Sequence, residues 1–87
     1  MKIKDGFIMR KVGNQYVVAA TGTASKTFHG MIRLDESGAF AFELLRNDIS
    51  EQEMLSALKE KYSADDAELQ TALTHFLNTL KEADALV

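Results

Sequence analysis

Apolar and polar positions alternate over the first third of the chain and then change period. Phe7 and Met9 alternate loosely with Ile8 and Val12 over Phe7–Val12, a first strand. Gly13-Asn14 follows as a turn signal, both residue types tolerating a positive φ. Gln15–Ala20, QYVVAA, is rich in β-branched and aromatic residues and predicts a second strand that closes a hairpin. Thr21–Thr27, TGTASKT, is a polar loop of small residues. A short apolar run, His29–Leu34, predicts a third strand, and Asp35 directly after it has the side-chain oxygen that caps a helix. From there the period is helical. Phe40, Ala41, Leu44 and Leu45 fall at i, i+1, i+4 and i+5, one stripe of a first helix over about Glu36–Arg46.

Two further helices carry sharper start signals. Ser50 and Glu53 have capping-box spacing, with Ile49 and Met54 placed for a hydrophobic staple. The second helix then runs to about Tyr62 and buries Met54, Leu55, Leu58 and Tyr62. Asp65 and Glu68 repeat the capping-box spacing. The third helix, ending near Glu82, carries Leu69, Ala72, Leu73, Phe76, Leu77 and Leu80 on one broad stripe, with Gln70, Thr74, Asn78 and Lys81 facing water. Leu86-Val87 is expected to fold back as an apolar tail. The order is βββααα, an α+β fold. A helix, short break and helix preceded by a β-ribbon is a winged helix-turn-helix with the wing first.

Composition narrows the function. Eighty-seven residues make one small domain, taken here as 1–87, without a cysteine to staple it, ligate a metal or act as nucleophile. MKIKDGF lacks the apolar core of a signal peptide, and no apolar run approaches the roughly 20 residues of a membrane span. A soluble cytoplasmic protein is expected. Charge is unevenly placed. Up to Leu34, six cations stand against Asp5, a net +5; from Asp35 onward, four cations stand against twelve acids, a net −8.

No constellation for catalysis or cofactor binding emerges. His29 and His75 have no cysteine partner and no HxxxH or HExxH spacing. Ser25 and Ser37 have no nearby base, the glycines form no phosphate loop, and Asp65-Asp66 reads as a helix cap. No enzyme, metal or cofactor is expected. Nucleic-acid binding needs cations on the reading helix. The third helix opens Asp65-Asp66 with Glu68 and has Lys81 as its one cation, so no nucleic acid is expected. No helix joins a Lys/Arg face to a wide apolar face, which leaves membranes out. A three-stranded ribbon, however, leaves an open edge that must be blunted or used. Strand three is placed to accept an added peptide strand, the neighbouring helix supplying pockets for side chains. The competing readings are an edge covered by the tail, a homodimer using the same edge, or an acidic winged-helix protein in transcription.

The chain resembles the PqqD-like family, the leader-peptide recognition elements of ribosomally made, modified peptides. The marks are Phe7 with Arg10, Gly13 before Tyr16-Val17-Val18, and Ile32-Arg33-Leu34-Asp35 leading into Ala39–Leu45. They continue with Ile49-Ser50, Leu58 and Tyr62, then Phe76-Leu77 with Leu80, and the closing Ala85-Leu86-Val87. The resemblance implies the same wing-first fold and a protein without chemistry of its own. It implies that the leader of a precursor peptide lies as an extra strand on strand three, in the cleft beside helix three, while a partner enzyme, often a radical SAM protein, modifies the peptide. Carried onto this chain, the peptide-binding residues are His29, Met31, Ile32 and Arg33 on the strand and Ala72, His75, Phe76 and Thr79 on the helix. Arg33 and Lys26 would meet acidic leader residues. The turn Arg46-Asn47-Asp48-Ile49 departs from the family's common Asp-Gly turn, and a left-handed Asn47 is the expected substitute. The loop Thr21–Thr27 also lacks the prolines often found there.

Overall fold

Gly13 sets the first register. In the computed structural model, which describes residues 1–26, 28 and 30–87 (of Thr23 the backbone alone), Gly13 has φ +65° and Asn14 is not left-handed. A positive φ at the first loop position alone is the II′ pattern, whose twist suits a two-residue hairpin. It joins β1 (Phe7–Val12) to β2 (Gln15–Ala20), and β3 (Met31–Leu34) pairs antiparallel on the other side of β2, giving the order β1-β2-β3. Three helices follow: α1 (Glu36–Leu44), α2 (Glu51–Lys61) and α3 (Asp66–Glu82). The fold is α+β, a three-stranded antiparallel ribbon followed by three helices, as the sequence pattern predicts. No described helix is long and apolar enough to cross a membrane.

The caps form where their side chains allow. Asp35 accepts from Gly38 N at 2.8 Å, Ser50 and Glu53 complete a reciprocal capping box, and Asp65 accepts from Glu68 N at 2.9 Å. Glu68 returns no bond to Asp65, so the third helix has a simple cap where a box was expected.

Five expectations are corrected. The strand starts at Met31 because Gly30 forms a bend; His29 lies outside the described residues. The polar loop contains a single tight turn of 3-10 helix over Gly22–Lys26, where Ser25 Oγ donates to Gly22 O at 2.6 Å. The first helix ends at Leu44, since Leu45 and Arg46 donate to carbonyls three residues back and tighten its last turn. Asn47 therefore needs no left-handed conformation and has none. Finally, the deepest anchor of α1 is Phe42, fully buried, whereas Phe40 is half-buried and packs edge-to-face on Tyr62 at 6.1 Å. Helix stripe arithmetic missed Phe42 because α1 is covered from two sides, by the sheet and by the other helices.

Phe42 joins Val18, Leu45, Met54, Leu73, Leu77 and Leu80 in one core between the inner sheet face and the helices. Their burial is the main stabilising term in a chain without disulfides. The tail does fold back, through a left-handed Asp84 (φ 55°). Asp84 N donates to Lys81 O and Ala85 N to Leu80 O, a Schellman closure of α3. Ala85–Val87 then pairs with the first residues of the chain: Lys4 N donates to Ala85 O and Val87 N to Lys2 O. The tail is thus held against residues 2–4 and does not cover β3. Ala85 is buried, Leu86 half-buried and Val87 exposed.

Candidate functional site

Antiparallel pairing decides which backbone groups of β3 are free. Thr21 N donates to Gly6 O across β1 and β2, so the odd residues of β2 exchange bonds with β1. The even residues then face β3, where Tyr16 is opposite Leu34 and Val18 opposite Ile32. By this alternation Ile32 and Leu34 bond to β2, while the N–H and C=O groups of Met31 and Arg33 point outward. β3 is the last strand of the sheet, and no further strand pairs with it among the described residues. The edge therefore presents donors and acceptors on every second residue, the form an incoming strand requires.

Beside this edge lies a groove of about 230 Å³. One wall is Ile32, Arg33 and Leu34 of β3 with Asp35, Ser37 and Gly38 of the strand–helix junction; the other is Ala72, His75, Phe76 and Thr79 of α3. Six of the eight residues singled out from the sequence thus line one groove. Met31 does not; it projects from the outer sheet face and is 67% exposed. His29 lies outside the described residues. The junction residues Leu34, Asp35, Ser37 and Gly38 were missed. Their signal was present, because Asp35 starts α1 within one residue of β3 and so brings the first turn of the helix alongside the strand edge.

The groove deepens between the two walls. A smaller apolar annex of about 50 Å³ shares Ser37, Gly38, Ala72 and Phe76 with it and is floored by Ala41, Leu58, Leu69 and Leu73. Gly38 keeps that passage open. A Cβ there would stand 3.1 Å from Leu34 Cβ and 3.2 Å from Leu34 Cδ2, so any side chain would press on Leu34, which would have to give by a few tenths of an ångström. Phe76, 8% exposed, belongs to both worlds: it is part of the core and its face forms the groove wall.

Polar groups at the site differ in what they have left to offer. Asp35 takes bonds from Gly38 N and from Ser37 Oγ, both at 2.8 Å. These donors, the backbone N–H first, hold its carboxyl below the usual range. Thr79 donates its hydroxyl to His75 O at 3.0 Å, one turn back on its own helix. Arg33 makes no ion pair among the described residues and stands exposed at the rim. Among the described residues no group of three or more His, Asp or Glu side chains is placed to hold a metal. The site combines backbone hydrogen bonding, an apolar slot and a free cation, which suits recognition of an extended chain.

Comparison with known proteins gives two matches. The family model described as Coenzyme PQQ synthesis protein D (PqqD) matches residues 14–86, which hold the whole strand edge and groove. A solved structure described as TbiB1 in complex with the TbiA(beta) leader peptide is similar with a TM-score of 0.75. The identity is 24%, over 99% of this chain and 94% of that one, a likeness in fold. No curated protein matches the chain.

Proposed function

The chain belongs to the PqqD family, and on that footing we propose that it binds the leader of a ribosomally made precursor peptide and presents it to a modifying enzyme. The leader adds as a fourth strand along Met31–Leu34. Its backbone bonds to the outward groups of Met31 and Arg33, and one of its side chains enters the groove against Ala72, His75, Phe76 and Thr79. Arg33 pairs with a leader carboxylate at the rim. The protein acts without catalysis of its own, as one domain over residues 1–87, in the cytoplasm.

The observation that carries this reading is the coincidence of an unpaired strand edge with a partly apolar groove at the same place. An edge alone invites any strand; a groove beside it selects side chains at alternate positions. The complex of the similar TbiB1 with a leader peptide supports the same choice of partner. The helix that borders the groove has Asp66, Glu68 and Glu82 against one Lys81, which sets it against a phosphate backbone.

The test is an NMR titration of the labelled protein with leader peptides encoded beside its gene. Amide shifts concentrated on Met31–Leu34 and the groove face of α3 are expected. Absence of shifts with every such peptide overturns the reading. Self-association that shifts the same amides as concentration rises would place a second copy on the edge instead.

A further inference from the structure

The outer face of the sheet is not covered by any other element among the described residues, and its composition is unusual for a solvated surface. Pairing sets its side chains in rows. Ile8, Ala19 and Met31 form one row; Arg10, Val17 and Arg33 form the next. Val12 extends the apolar surface toward the hairpin. Ile8, Val12 and Met31 are 37%, 61% and 67% exposed, and they are three of the four large apolar side chains left exposed among the described residues. Neither arginine enters an ion pair among the described residues, and no outward position of the three strands carries an acid. Antiparallel sheets with one solvated face ordinarily alternate apolar-in with polar-out; this one is apolar on both faces, with two unpaired cations outside.

Charge and apolarity together select the occupant. A second copy packed face to face would gather the arginines of both sheets into one interface with no outward acid on either to pair them, because a two-fold interface brings one patch onto itself. A second copy packed head to tail would bring the acidic helices to the arginines. Those helices expose no large apolar side chain to cover Ile8 and Met31. The fitting surface belongs to a different protein and mixes apolar side chains with carboxylates.

We propose that the outer sheet face, with Ile8, Val12 and Met31 beside Arg10, docks the modifying enzyme through an apolar patch bordered by carboxylates, Arg33 at the border with the groove being left to the leader. This rests on the adaptor reading above and adds where the enzyme sits. Three strands of four to six residues span roughly 20 Å by 15 Å at ordinary strand spacing, or about 300 Å². That is less than the roughly 800 Å² per partner of a standard interface, so the association is weak and transient, as suits an adaptor that hands over its cargo. It places the enzyme on the sheet surface while the leader occupies the strand edge, and the two need not compete.

The test uses the full chain and the modifying enzyme encoded beside its gene, with leader peptide present, by isothermal titration. Ile8→Asp and Arg10→Glu both lie on β1, away from the edge and groove. Both are expected to bind leader within about twofold of the original protein and to lose about tenfold or more in affinity for the enzyme. Raised salt should weaken the original pairing and shrink the Arg10→Glu difference. Unchanged enzyme affinity in both variants overturns the proposal. So does an original protein that binds leader but not the enzyme, or one that forms a dimer which Ile8→Asp dissociates. A protein that holds the enzyme through this face yet ignores the leader would support the docking surface and sink the leader reading alone.

Discussion

Proline substitutions at two adjacent positions of β3 separate the open edge from the ladder. Met31 directs its N–H outward, and its side chain touches little, being 67% exposed. Met31→Pro removes one donor from the edge and leaves the pairing with β2 intact. One intermolecular hydrogen bond is worth about 0.5–1.5 kcal/mol net, so leader affinity should fall about 2- to 12-fold. Ile32 directs its N–H to β2, opposite Val18, and its side chain is 8% exposed within the core. Ile32→Pro leaves a buried acceptor unpaired, about 1–3 kcal/mol, and empties a buried aliphatic site, about 2–5 kcal/mol. The sum of roughly 3–8 kcal/mol is a large part of the 5–15 kcal/mol that holds a domain folded. The melting temperature should fall by at least about 12 °C, taking 4–8 °C per kcal/mol for a domain of this size. Thermal melts by circular dichroism measure the second effect, and fluorescence anisotropy with a labelled leader peptide encoded beside the gene measures the first. A folded Met31→Pro variant that binds with unchanged affinity refutes strand addition. An Ile32→Pro variant that melts like the original protein refutes the assignment of inward and outward groups.

Three other substitutions probe the groove. Ala72→Phe sets a ring into the groove from an exposed helix position; it should abolish side-chain insertion, worth about 1.5–3 kcal/mol for a buried aliphatic group, while the melting temperature stays within a few degrees. Phe76→Ala should cost about 3–5 kcal/mol of stability, because the ring is core as well as wall; a melt that hardly moves, with binding lost, would assign Phe76 to the groove alone. Asp35 has its carboxyl held below the usual range by Gly38 N–H and the Ser37 hydroxyl, so its cap contributes above the unfolded carboxyl value, about 3.9, and is lost as pH falls through the lower folded value. Asp35→Asn still caps but does not titrate, so the melting advantage of the original protein over it should shrink between pH 5 and about pH 3; a constant difference across that range would count against the linkage.

Much of the architecture was legible because it depends on neighbours in sequence. Gly13-Asn14 specifies a two-residue loop, and the register of β1 and β2 follows from it. Asp35, Ser50 and Asp65 each place an acceptor one step before a helix, so α1, α2 and α3 begin where the residues say. Helix ends were less legible. Arg46 was read into α1, but the last turn tightens at Leu45 under packing that no local signal announces. The same limit hid Phe42: a stripe calculation assumes one buried face, and α1 has two.

The alternation of β3 and the stripe of α3 gave the faces of each element, by periods of two and of 3.6 residues, and the resemblance to the PqqD-like family marked Ile32, Arg33, Ala72, His75, Phe76 and Thr79 on them as peptide-binding. That these residues share one groove was decided by the tertiary structure, which sets α3 alongside a strand some forty positions earlier in the chain. So was the place of Gly38, whose missing side chain matters only because Leu34 comes within 3.1 Å of where it would be. The fate of the tail also needed three dimensions: Leu86 was expected to fold back, but only the pairing of Ala85–Val87 with residues 2–4 shows that it leaves the β3 edge bare. Local preference is written in dihedral angles and hydrogen bonds a few residues apart. Which surfaces remain uncovered depends on how every element packs at once, and only the folded chain states it.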